Sequence, residues 1–94
     1  MNPEARRWRM HKKRAKVRSL STTFTRESHE IFVSQPCTYC GLIPALGIDR
    51  IDSSLGYTQE NSTPSCRTCN VAKAEMSVQE FYSWIDRVQT HRLI

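Results

Sequence analysis

No run of residues in this chain is long or apolar enough to cross a membrane. No apolar leader opens it, since Met1 to Leu20 is basic throughout. The two absences point away from a secreted or membrane-spanning protein and make an intracellular, reducing location the expectation. No internal repeat or low-complexity tract is present, and no heptad pattern marks an oligomer interface. Acid is scarce at the front. The first twenty residues hold Glu4 alone against Arg6, Arg7, Arg9, Lys12, Lys13, Arg14, Lys16 and Arg18, so the net charge of +5 comes from this segment. Its apolar residues are also sparse (Trp8, Met10, Ala15, Val17, Leu20). Residues 1–20 therefore read as a basic arm that becomes helical on a partner without docking as a helix.

What remains, residues 21–94, is one small domain of a 94-residue chain. A domain that short seldom stabilises itself by apolar burial alone. Four cysteines supply the alternative. They form two identical clips, Cys37-Thr38-Tyr39-Cys40 and Cys66-Arg67-Thr68-Cys69. Each clip puts two thiolates on one tight turn, which suits half of a tetrahedral zinc site. The two-residue spacing favours metal over two disulfides or free thiols. Structural zinc contributes on the order of 10–16 kcal/mol in small finger peptides, so the metal is expected to be required for folding.

Local signals divide the domain further. Thr25 caps a short helix within 21–36, with Phe24, Ile31 and Phe32 as its apolar contacts and Pro36 as its stop. Cys40-Gly41 makes the turn of a zinc knuckle. Residues 42–69 read as two short strands: Leu46 to Ile51, with Ile48 and Ile51 inward, and a return beginning at Tyr57 and Thr58 after the turn cluster Asp52-Ser53-Ser54-Leu55-Gly56. Asn61 to Ser65 reads as a loop or edge. A helix opens at Asn70, and Ser77-Val78-Gln79-Glu80 is a capping box for a last helix. Val78, Phe81, Tyr82, Ile85 and Val88 fall on one face of that helix as expected core, with Trp84 beside them.

The polar residues between the clips carry the functional expectation. Asp49 on a strand and Asn70 at a helix start offer two hard oxygen donors to Mg2+ or Mn2+. Such an ion polarises a phosphodiester and stabilises its leaving oxygen. Lys73, one turn on, can neutralise phosphate charge, and Asn61 is suited to pinning the loop. Taken singly, Asp49 and Asn70 are also ordinary turn and cap residues.

Together, Asp49-Arg50-Ile51-Asp52, Gly56-Tyr57, Asn61, Ser65-Cys66, Cys69-Asn70 and Lys73 resemble the core of HNH endonucleases, over about residues 36–85. Tyr39-Cys40-Gly41 and the Ser77, Glu80, Phe81 helix start fit the zinc-stapled subset. The resemblance implies a small α+β zinc-bound domain, a ββα-metal (treble-clef-like) finger with flanking helices and a basic N-terminal arm. It implies metal-dependent DNA cleavage or nicking, with the catalytic ion on Asp49 and Asn70, loop positioning by Asn61, and structural zinc on Cys37, Cys40, Cys66 and Cys69. Arg50 departs from the family, which usually has the water-activating histidine there. Arginine stays protonated and cannot act as a general base, though it can grip phosphate. Tyr57, His29 and metal-bound water are candidate substitutes. His11, His29 and His91 also read as solvated surface residues.

The eight cations of the arm fit DNA phosphates. If six of them met phosphate, affinity would fall with salt at a log–log slope of roughly −5. Two other functions compete with the nuclease: a DNA-binding zinc module that has lost cleavage, and a protein–protein adaptor on a treble-clef finger. A homodimer or larger host complex is an expected partner state, because so short a chain offers little surface for a long recognition site.

Overall fold

A short antiparallel ribbon separates two small clusters of buried side chains. The computed structural model describes residues 2–93; Met1 and Ile94, the outermost residues of the expected arm and domain, lie outside the described residues. In chain order the elements are α1 (Pro3–Val17), α2 (Arg26–Val33), β1 (Ile48–Arg50), β2 (Ser62–Pro64), α3 (Arg67–Lys73) and α4 (Val78–Arg92). Four helices and one two-stranded sheet make this a small α+β protein.

The expected undocked arm is instead a docked helix. Asn2 caps α1 by accepting from the Ala5 N–H at 2.7 Å, Pro3 occupies the first turn, and Arg14 and Lys16 lie in the last. Sparse apolar residues suffice because Trp8, His11 and Ala15 recur at helical spacing and share one face. Ala15 and His11 are buried, and Arg7 Nη2 donates to Glu30 Oε1 on α2 at 2.6 Å. A first core forms from Ala15, Phe24 and Tyr57, with Trp8, Leu20, Phe32 and Ile48 against it. Thr25 and Ser28 cap α2 reciprocally. Phe24 and Phe32 pack as expected, but Ile31 points to solvent at 69% exposure.

β1 pairs Ile48 with Pro64, Asp49 with Thr63 and Arg50 with Ser62. The return strand thus lies in the segment read as a loop or edge, and Tyr57, where the return was expected to begin, is not on it. Asn61 folds the intervening turn on itself. Tyr57 pairs instead with Thr22, where Thr23 N–H donates to Tyr57 O at 3.0 Å and Tyr57 N–H to Ser21 O at 2.8 Å. Pro64 is tolerated because a two-stranded ribbon is all edge. Strand alternation turns Asp49 one way and Ile48 and Arg50 the other. Ile51, expected inward, lies beyond the strand and is exposed.

α3 begins one residue after Cys66, whose Sγ accepts from the Cys69 N–H, so Asn70 sits in the body of the helix and not at its start. Ser77 and Glu80 form the capping box of α4. Phe81 is the one fully buried member of the expected α4 stripe, packed edge-on to Tyr39 at 5.1 Å. Tyr82, Trp84 and Val88 are exposed. Among the described residues, none of the other named elements packs extensively on α4, so the stripe beyond Phe81 has little to bury it.

Of the three histidines expected at the surface, His91 is exposed, while His11 and His29 are buried in the α1–α2 junction. His11 and His29 are each 4% exposed, their rings 4.7 Å apart. His11 Nε2 meets Thr22 Oγ1 at 2.9 Å, and His29 Nδ1 has no partner. Burial, then His29 and Arg14, hold His11 down at about 4 from 6.5. Burial also lowers His29, opposed by Glu30 and assisted by Arg7 and Arg14. The unfolded chain therefore binds more protons, so this contribution to stability is complete above about pH 6.5 and is lost as pH falls towards 4. Thermal melts should show the midpoint dropping by on the order of 5–10 °C over that window. A His11→Gln/His29→Gln variant should be flatter between pH 6.5 and 5; an unchanged slope would assign the pH dependence to other groups.

Candidate functional site

The second cluster of buried residues is built on sulfur. Cys37 and Cys66 flank Ala45, with Tyr39 and Cys69 packed against them. Gly41, at φ +80, takes the left-handed turn that brings Cys40 back to Cys37. Cys66 and Cys69 come from the cap and first turn of α3. The four Sγ atoms lie within 4.8 Å of one another, and Cys40 and Cys66 are 3.6 Å apart. A disulfide needs about 2.05 Å, and all four cysteines are free. Tetrahedral zinc with Zn–S near 2.3 Å spaces its sulfurs by about 3.8 Å, so the set fits a zinc ion. Burial raises the Cys37 thiol, but backbone hydrogen bonds from Cys66, Cys40 and Tyr39 outweigh it and bring it down to about 6. Burial and the neighbouring sulfurs push Cys69 up. Sulfurs forced to share protons in this way are suited to a cation.

Next to this cluster, side chains of β1 and α3 meet. Gly47 lies against Asn70: a Cβ there would come within 2.6 Å of Ser65 O and 3.0 Å of Asn70 Nδ2, so only glycine allows the approach. Asn70 Nδ2 donates to Ser65 O at 3.3 Å. Two residues along, on the same side of the strand, Asp49 meets Lys73. Strand positions 47 and 49 are about 7 Å apart. Lys73 Nζ reaches Asp49 Oδ1 at 3.2 Å and Oδ2 at 3.1 Å, and Tyr39 Oη donates to Oδ2 at 2.6 Å. Lys73 is 1% exposed and Asp49 is buried. Burial, then the bond to Asp49, drives the Tyr39 hydroxyl well above its ordinary range, so it stays a donor.

Asp49 and Asn70 thus share one side of the ribbon, but both carboxylate oxygens already face an ammonium. A divalent ion at the same carboxylate would sit beside a buried like charge unless Nζ withdrew. As arranged, the pair does not fit a preformed ion site. Tyr39 and the Lys73–Asp49 bond escaped the sequence reading; the only available signal was that Tyr39 lies inside a clip facing the strand.

On the opposite side of β1, Arg50 Nη1 donates to Leu55 O at 3.2 Å and to Ser53 O. Its guanidinium lies over the Tyr57 ring, 5.3 Å from the centroid. Arg18 Nη1 donates to Tyr57 Oη at 3.0 Å. Asn61 holds the turn between the strands: its Oδ1 accepts from Asp52 N at 2.9 Å, and its Nδ2 donates to Asp52 O and Gly56 O, both at 3.0 Å. Of the arm cations, Arg7 is turned inward to Glu30, while Arg6, Arg9, Lys12, Lys13, Arg14, Lys16 and Arg18 are exposed. His29 packs on Phe24 of the first core and on His11, which in turn meets Tyr57. No helix among the described residues is long and apolar enough to cross a membrane.

No family profile matches the sequence. An uncharacterised protein of Acanthamoeba polyphaga mimivirus is 33% identical over 67 residues, which is 68% of this chain and 13% of that protein. The chain thus spans about an eighth of the length of the relative it matches. Among solved structures, the rare-cutting HNH restriction endonuclease PacI superposes on 100% of this chain, covering 84% of its own, with a TM-score of 0.72 and 24% identity. At that identity the likeness establishes the fold: this chain has the architecture of an HNH endonuclease.

Proposed function

We propose that the protein is a DNA endonuclease of HNH type that hydrolyses phosphodiester bonds and depends on a divalent metal, with structural zinc on Cys37, Cys40, Cys66 and Cys69. The observation that carries the reading is the superposition of the whole chain on an HNH enzyme; it is supported by Asp49 and Asn70, on neighbouring strand and helix, as the oxygen donors available to the ion. DNA is the partner that suits the exposed cations of α1. Arg50, held over Tyr57, can take a phosphate with the guanidinium hydrogens that its turn carbonyls leave free. Lys73 is neutralised by Asp49 and is not free for phosphate in this arrangement.

Zinc-loaded protein should nick or cut plasmid with Mg2+ or Mn2+. Asp49→Asn and Asn70→Ala should abolish cutting in protein shown to be folded by circular dichroism. Inactivity of the wild type across several divalent ions and DNA forms would refute the assignment. A second reading, a DNA-binding module without cleavage, is favoured by the closure of Asp49 by Lys73 and by Arg50 at the base position. Arg50→His separates the two: a gain of strong cleavage over an inert wild type supports the module, and a mere change of rate supports the enzyme.

A further inference from the structure

Docking of α1 changes what its charges can do. An untethered arm offers its cations in any arrangement. A docked helix offers a fixed row. Arg6, Arg9, Lys13 and Lys16 stand at i, i+3, i+7 and i+10, within an arc of about 80° and over about 15 Å of helix. All four are exposed and none is paired with a carboxylate among the described residues. Trp8, His11 and Ala15 take the roughly opposite face, against the body. Arg7, with its carboxylate partner at 2.6 Å, belongs to the docked side.

The row is also joined to the finger. Just past the end of α1, Arg18 donates to the hydroxyl of Tyr57, and Arg50 of β1 covers that tyrosine's ring. Tyr57 is 4% exposed and is bonded through its backbone to Ser21 and Thr23. One immobile side chain therefore holds a guanidinium from each unit, and the angle between α1 and the ribbon is fixed there.

We propose that the outward row of α1 is a rigid phosphate track for duplex DNA, with the Arg18–Tyr57–Arg50 contact on its inward side as the joint that fixes its angle to the ribbon. This rests on the DNA reading above and adds a geometry to it: backbone bound along α1 is held at a set angle to the ribbon. The duplex is the chosen partner because a rigid row of charges gains most from a phosphate row that is itself rigid, with one phosphate per about 3.4 Å of helix axis on each strand. A flexible single strand needs no such row.

Fluorescence anisotropy with a short duplex, over a range of salt, tests the track. Changing Arg6, Arg9, Lys13 and Lys16 together to Gln should make the log–log salt slope shallower by about 3.6. Arg7→Gln with Glu30→Gln, which leaves net charge unchanged, should keep the wild-type slope. Equal losses per cation from the inward and outward faces would mean a free arm and would overturn the proposal. Tyr57→Phe keeps every cation and cuts the Arg18 bond; it should weaken binding several-fold at unchanged slope, and wild-type affinity would remove the joint. Arg18→Gln, which cuts the same bond from the other side, should show the same weakening with little change in slope. Single-stranded DNA of equal length binding as tightly would overturn the duplex assignment. Wild-type protein that fails to bind any DNA refutes the underlying reading, whereas binding that is blind to helix face refutes the track alone.

Discussion

Chelating the metal from this protein, or changing Cys66 to Ser, is expected to unfold the half of the molecule that contains β1, β2 and α3. The buried cluster there consists of Cys37, Ala45 and Cys66, with no apolar side chain larger than alanine among its fully buried members. A full Leu or Phe burial is worth roughly 1.5–3 kcal/mol, and this cluster has none. A zinc ion joining four sulfurs would substitute for that missing core, at an apparent 10–16 kcal/mol in small finger peptides. Total stability of a domain is typically about 5–15 kcal/mol, so the loss should be complete. Elemental analysis should find one zinc per chain, and chelator should abolish the cooperative melt. Cys66 is the more damaging position because it also caps α3, which carries Asn70 and Lys73. A metal-free protein with an unchanged melting transition would refute the role assigned to the cluster.

The meeting of the two cysteine clips was legible because the signal is local: two residues of spacing, twice, with a glycine after the first pair. The caps at Thr25 and Ser77 were legible for the same reason, since a capping box is satisfied within four residues. What escaped were pairings set by tertiary contact. Nothing near Tyr57 shows that it will bridge Thr22 and leave the return strand to Ser62–Pro64, because Asn61 folds the turn from a distance. Composition hid α1: a segment rich in Arg and Lys reads as solvated, yet three spaced residues and one inward arginine suffice to dock it. The α4 stripe failed in the other direction. Its periodicity was sound, but periodicity reports a face and not whether another element packs on it. Around the candidate site, the sequence brought Asp49, Asn70 and Lys73 to one neighbourhood and left their mutual contacts open. The unread fact was that Lys73 turns inward and takes up the carboxylate.

Lys73→Met should therefore destabilise the protein by roughly 3–5 kcal/mol, the usual result of leaving one partner of a buried ion pair alone. Lys73 is the most buried large polar residue of the chain, and it faces both oxygens of a carboxylate held in the β1 ladder. Without it, Asp49 keeps only the Tyr39 hydroxyl, one donor for a full negative charge. Methionine preserves most of the volume, so the loss measures charge and not packing. The double change Lys73→Met/Asp49→Leu removes both charges and should recover much of the stability, since well-packed apolar replacements of buried ion pairs are often neutral or better. Tyr39→Phe should cost less, about 1.5–3 kcal/mol, as a hydrogen bond to a charged group. Urea melts of the zinc-loaded variants give all three values, and the double-mutant cycle isolates the pair. A loss below about 1 kcal/mol for Lys73→Met would mean that Nζ is not committed to Asp49 in solution. The carboxylate would then stand open beside Asn70, which favours the enzyme over the inert module. A full loss, repaired by the second change, marks the pair as a structural tie between β1 and α3 that any ion at Asp49 must first displace.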